Sequence, residues 1–246
     1  MSELGPQSSF FVLVHGGRHG GWAWRPVASR LRAKGYTVLT PTLTGLGDRA
    51  HLLRPDIGLD THIEDLVATF EYEDLDDVVL VSHSYAGVVV AGAMERLAPR
   101  VRTVVSLDAR MPIDGESLID LAGPEYADVL METVRRDGEG WYVPVSDSSY
   151  WGLTDPEQIA WVNAKITPQP IKTYQDSVGS TKQFWSHPGM FIECNPSVTG
   201  EIELERVRAR AAKDSRFHHR YLDTCHDAMV SDPDGVTTLL LEAAAQ

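Results

Sequence analysis

Three residue types that together activate a hydroxyl group occur far apart in this chain, as Ser84, Asp108 and His226. A serine hydroxyl is a weak nucleophile until a base takes its proton, and a carboxylate behind the base holds the imidazole in the useful tautomer. The strongest local signal surrounds Ser84. Val78-Val79-Leu80-Val81-Ser82-His83-Ser84-Tyr85-Ala86-Gly87 reads as a buried strand, a sharp turn and a helix. That context lifts a serine off the backbone with its Oγ exposed. The positions two before and two after must be small, because strand and helix backbones nearly touch there. They are Ser82 and Ala86, where the common form has Gly at both. The turn also sets Ser84 at a helix N-terminus, where the dipole favours developing negative charge. A serine that only caps a helix is the plainer reading, and the strand before the turn argues against it.

Acyl transfer also needs two N–H groups aimed at the developing oxyanion. One comes from the residue after the nucleophile and one from an early strand-to-helix loop. Phe11-Val12-Leu13-Val14-His15-Gly16-Gly17 ends a first strand in such a loop, so the expected donors are the Gly17 and Tyr85 amides. A dinucleotide loop is the rival reading of these glycines. It needs G-x-G-x-x-G and a carboxylate at the end of the second strand. Gly16-Gly17-Arg18-His19-Gly20-Gly21 has other spacing, and Thr40-Pro41-Thr42 carries no acid.

The base should follow the last strand, where His226 stands. His15 and His83 sit in turns explained by local packing, and His19 is expected to line the substrate pocket. His218 and His219 are adjacent on a strand, so they point to opposite faces and make a poor metal pair. Asp108 follows Val104-Val105-Ser106-Leu107, at the end of the strand after the nucleophile helix. The other strand end able to supply an acid reads Asn195-Pro196-Ser197 and has no carboxylate before Glu201. Asp223 and Asp227 are too close in sequence to reach the far nitrogen of His226 easily. Asp108 is therefore the expected acid, with a turn-capping role as its plainer reading and Asp223 or a water-mediated arrangement as alternatives.

These residues need a frame. Continuous apolar runs, Phe10–Val14, Thr37–Leu39, Val78–Val81, Val101–Leu107, Met190–Cys194 and Phe217–Leu222, have the character of parallel strands covered on both faces. Amphipathic segments Trp22–Lys34, Thr61–Glu73, Tyr85–Leu97, Glu201–Lys213 and Gly235–Ala244 fall between and after them. The alternation predicts a doubly wound α/β sheet, with functional loops at the strands' carboxyl ends. From about 111 to 187 it breaks. That stretch is rich in aromatics and prolines and too long to be a structureless loop. It is expected to form a helical cap over a core made of 1–110 and 188–246. Trp141, Trp151, Trp161 and Trp185 are expected in the pocket wall, although packing of the cap on the core would also employ them.

Composition sets outer bounds. With 246 residues and 43% hydrophobic content the chain can bury one sizeable core. There are 22 basic and 35 acidic residues, for a net charge of −13, and no long basic run, which argues against a nucleic-acid surface. A negative surface suits solubility and neutral or apolar substrates. Met1–Ser9 is polar, without a signal-like apolar core, and no stretch approaches the ~18 apolar residues of a membrane span. Cys194 and Cys225 are too few for a disulfide framework. The expectation is a cytoplasmic protein acting on a small molecule, alone or as a homodimer.

Four segments carry a resemblance across nearly the whole chain: Phe11–Trp24, Val78–Gly87, Val104–Pro112 and Cys225–Pro233. Together they resemble the small α/β-hydrolases related to plant methyl-ester esterases and hydroxynitrile lyases, and their bacterial homologues. The resemblance implies a mostly parallel six-stranded sheet, a helical cap, a Ser/His/acid triad, and no metal or organic cofactor. Many members place an Asp after the penultimate strand, where this chain has Ser197. The lyases place Lys directly after the catalytic His, where this chain has Asp227, which disfavours cyanohydrin cleavage. Hydrolysis of an ester or lactone is the leading expectation. Non-hydrolytic C–C chemistry at the same site and a ligand-binding receptor are the alternatives, because fold alone does not separate them.

Overall fold

The apolar runs become strands in the computed structural model, which describes residues 10–246; Met1–Ser9, read above as a polar N-terminus, lies outside them. Strands β1 (Phe10–Val14), β2 (Thr37–Leu39), β3 (Val78–His83) and β4 (Val101–Leu107) come first. Next comes a separate antiparallel pair, β5 (Tyr142–Val143) and β6 (Gln169–Pro170), and then β7 (Gly189–Cys194) and β8 (Phe217–Leu222). Six of them form one parallel sheet in the order β2-β1-β3-β4-β7-β8. The period-two alternation of strand side chains divides the core. Val12, Val14, Leu80 and Phe191 pack on one face, while Phe11, Leu13, Val79 and Val81 pack on the other.

Helices α1 (Arg25–Ala33), α2 (Leu59–Tyr72) and α3 (Ala86–Leu97) follow β1, β2 and β3. The chain first winds outward from β1 to β2, then crosses back to β3 on the other side. Loops after β1 and β3 therefore diverge at the carboxyl edge, which is where open α/β sheets form their crevice. Between β4 and β7 lie α4 (Leu118–Ala122), α5 (Pro124–Asp137), α6 (Pro156–Asn163), α7 (Lys172–Gln175) and α8 (Lys182–Ser186). The chain closes with α9 (Glu201–Ala211), α10 (Ala228–Ser231) and α11 (Pro233–Ala244).

The stretch read as an insertion both walls a cavity and packs on the core. Leu118, Tyr126, Trp151 and Tyr174 wall the cavity above the sheet edge. Farther along, α8 packs on α3 and sends Phe184 into the main core, with Trp185 packed against it. Among the described residues no helix is long and apolar enough to cross a membrane.

Candidate active site

The first turn of α3 comes very close to the chain after β4. A Cβ on Gly87 would fall on the Arg110 carbonyl, so only glycine fits there. Ser84 holds the connecting turn at φ +54°, a left-handed conformation uncommon for a side-chain-bearing residue. The turn is pinned at both ends. The Ser84 carbonyl accepts from the Gly87 and Arg110 amides, each at 3.0 Å. The loop after β1 closes in from the other side: a Cβ on Gly16 would lie 2.9 Å from Ser84 Cβ. Ser84 itself is half-buried and lines a cavity of about 220 Å³.

His226 lies between β8 and α10 and lines the same cavity. Its Nδ1 is 2.6 Å from Asp108 Oδ2. An ionised carboxylate only accepts, so Nδ1 carries the proton and Nε2 is the nitrogen left free. The His226 amide donates to the Trp151 carbonyl at 3.2 Å, and its carbonyl accepts from His83 Nε2–H at 2.9 Å. The ring is thus held by neighbours from three elements.

Asp108 is fully buried at φ +40°, directly after β4. Besides His226, Ser197 Oγ–H donates to it in a short hydrogen bond, Val198 N–H at 3.2 Å and Thr199 Oγ1–H at 3.3 Å. Burial alone would raise its pKa. The hydrogen bond and charge of His226, then Ser197 and Val198, outweigh burial and hold the carboxyl below the usual range. Ser197, beyond the end of β7, thus secures a carboxylate supplied from the neighbouring strand β4.

Gly17 and Tyr85 both line the cavity, and neither amide has an acceptor among the described residues. The Tyr85 side chain is anchored behind the site. His62 Nε2–H donates to the Thr44 carbonyl at 2.9 Å, so His62 Nδ1 accepts from the Tyr85 hydroxyl at 2.8 Å. His15 and His83 are structural, as expected. Burial lowers the pKa of each to about 3, leaving both neutral.

The expected pocket wall needs correction. Of the four tryptophans, Trp151 is in the lining. Trp141 stacks edge-on to Tyr142, and Trp161 packs edge-on against Trp22 with Lys165 over its ring. Trp185 donates its Nε1–H to the Pro112 carbonyl at 2.6 Å and belongs to the core beneath α8. Their large apolar areas join helices to the core, which is the commoner use of tryptophan. His19 is not in the lining either. It is buried behind Trp151, with Nδ1–H donating to the Gly17 carbonyl at 2.8 Å and Nε2 3.4 Å from Asp227. Its tie to Gly17 positions the loop that carries the Gly17 amide.

Residues not singled out from sequence complete the wall, above all Arg18, Arg110, Tyr126, Tyr150 and Tyr174. Arg18 had an available signal, since it adjoins Gly17 in a loop that must face the site. The tyrosines had none, because the cap has no periodicity that assigns a face.

Residues 11–238 match the alpha/beta hydrolase family, and the chain belongs to it. It is 42% identical to a carbendazim hydrolyzing esterase of Nocardioides sp. over 67% of this chain and 71% of that one. It is 27% identical to methylesterase 10 of Arabidopsis thaliana over 98% of this chain and 93% of the relative. Among solved structures, an extracellular alpha/beta-hydrolase from a Paenibacillus species superposes with a TM-score of 0.82 at 21% identity. That match covers 96% of this chain and 98% of the other. The protein is a hydrolase of the carboxylic ester class.

Proposed function

We propose that this enzyme hydrolyses a carboxylic ester or lactone of a small metabolite by a serine nucleophile. The observation that carries the reading is the His226 Nδ1–Asp108 hydrogen bond of 2.6 Å, on a histidine that shares its cavity with Ser84. Ser84 Oγ attacks the acyl carbon while His226 Nε2 takes its proton. The oxygen of the tetrahedral intermediate is held by the Gly17 and Tyr85 amides. Collapse expels the alcohol, which takes the proton from His226. Water, deprotonated by the same nitrogen, then releases the acid and restores Ser84.

Leu118, Leu121 and the aromatic wall support a substrate with an apolar body. Nothing in the scheme calls on a cofactor. The two free cysteines fit a cytoplasmic enzyme, active as a monomer or a homodimer. A fluorophosphonate should label Ser84 and no other serine, by peptide mapping of the intact protein. Ser84→Ala should lose both labelling and turnover of simple aryl esters. Labelling elsewhere, or none on folded protein, overturns the assignment.

A further inference from the structure

Arg18 adjoins the oxyanion loop, and the mechanism above does not use it. Its φ is +64°, a region that long side chains rarely occupy. Such conformations persist where the surroundings enforce them, and they cluster at functional sites. Here the Arg18 amide donates to Gln169 Oε1 at 2.7 Å, and its carbonyl accepts from Thr167 N–H at 2.9 Å. The result is a guanidinium in the cavity wall that is only 8% exposed. Its Cζ lies 4.7 Å from the centre of the Trp151 ring, and Nη1 donates to Ser146 Oγ at 2.7 Å.

What the guanidinium lacks is a counter-ion. Arg110, the other buried arginine of this cavity, faces Glu203 at 3.1 Å. Arg18 has no such carboxylate among the described residues, and its buried Nε has no acceptor. The nearby phenols do not supply a charge. Burial pushes Tyr126 up to about 12 and holds Tyr85 and Tyr174 above the ordinary phenol range. Asp108 and Asp227 already face histidines. A buried cation without a partner is strongly unfavourable, so its retention points to an anion brought in with the ligand. Ser146 holds Nη1 and Trp151 covers one face. With Nε itself buried, Nη2 is the donor left for a ligand oxygen, and a charge-assisted hydrogen bond there fits a carboxylate.

We propose that Arg18 anchors a carboxylate of the substrate, so that the enzyme favours esters carrying a free acid, such as half-esters of dicarboxylic acids. This rests on the esterase reading and differs from the expectation of neutral or apolar substrates drawn from the net charge. The field of the whole surface is screened over roughly 10 Å, whereas Arg18 acts at contact.

Two measurements test it. The first is calorimetric binding of glutarate and of its neutral diamide to full-length Ser84→Ala protein. Glutarate should bind more tightly than the diamide. Arg18→Gln in that background should weaken glutarate roughly 10- to 100-fold, and Arg18→Lys by less, since the charge is kept. The second is the ratio of kcat/KM for monomethyl glutarate to that for dimethyl glutarate, which should fall in Arg18→Gln by a similar factor. Glutarate binding no tighter than the diamide, or an Arg18→Gln effect equal for both ligands, overturns the proposal and leaves Arg18 as a tie between loop and cap. If Ser84 labelling and aryl-ester turnover fail but glutarate binding still depends on Arg18, the anion site stands and the esterase reading falls.

Discussion

Asp108 and Asp227 are both fully buried, both lie at the carboxyl edge of the sheet, and both face a histidine. Asp108 receives hydrogen bonds from Ser197, Val198, Thr199 and His226. Asp227 receives none: both oxygens lack a hydrogen-bond partner, and His19 approaches at 3.4 Å. Burial disfavours the Asp227 charge, and the neighbouring His19, then His83 and His226, hold the carboxyl below its usual range all the same. One carboxylate is therefore fixed in direction by oriented donors, while the other lies beside histidines without an oriented donor. Only the first arrangement can impose a tautomer and a ring angle on the histidine it faces. The contrast teaches that burial and a nearby imidazole do not fix the direction of a carboxylate; a complete shell of donors on its oxygens does.

The largest effect expected from that contrast is on Asp108. Asp108→Asn should fold and lose about 10⁴ in kcat, the size seen when a serine protease loses its orienting acid. Steady-state kinetics with an aryl ester checks it, and near-full activity would break the comparison outright. In that background Ser197→Asp should recover part of the rate, since Ser197 already touches Asp108.

Acid should expose the histidine side of the contrast. Burial lowers His15 and His83 to about 3 and His62 to about 4, against 6.5 when unfolded. Below pH 6.5 the unfolded chain takes up protons that the fold excludes. The stability these groups contribute is complete above pH 6.5 and is lost as pH falls toward their folded values. Each should remove about 1.4 kcal/mol per pH unit in that window. Urea unfolding at pH 7 and pH 5 measures the slope, and His83→Gln should flatten it. A slope unchanged in that variant would mean that His83 does not sit neutral beside Asp227.

Smaller effects should come from Asp227 and Ser197. Asp227→Asn should change kcat by less than about tenfold, because that carboxylate makes no oriented bond to the base. A loss near that of Asp108→Asn would erase the distinction between the two. Ser197→Ala removes one of four donors and should lower kcat/KM by about fivefold, the equivalent of roughly 1 kcal/mol. Cyanide release from mandelonitrile should stay at the buffer rate, since Asp227 repels a departing cyanide that a lysine would hold.

Much of the frame was legible in the sequence. Four of the six sheet strands have the bounds read from their apolar runs, and the other two extend by one or two residues. Continuous β-branched runs buried on both faces have few other solutions. The turn at Ser84 was legible for a similar local reason, since the small residues around it report a backbone contact. The cap was legible only as an interruption. Its tryptophans gave no sign of which would line a cavity, because a Trp in a helix junction and a Trp in a wall look alike in sequence.

The sequence by itself therefore determined the sheet, the turn at Ser84 and the position of His226, because these follow from short-range rules of strand, turn and helix. Only the tertiary structure decided the partners across the sheet edge. Ser197 lies 89 residues from Asp108, yet it donates to that carboxylate. Asp227 adjoins His226 in the chain but lies behind it, toward His19. Arg18 is read in sequence as one more polar loop residue, and becomes a buried cation only when Trp151 and Ser146 of the cap close over it. Charge, burial and hydrogen-bond direction are properties of surroundings, and those surroundings come from segments that meet only after the chain has folded.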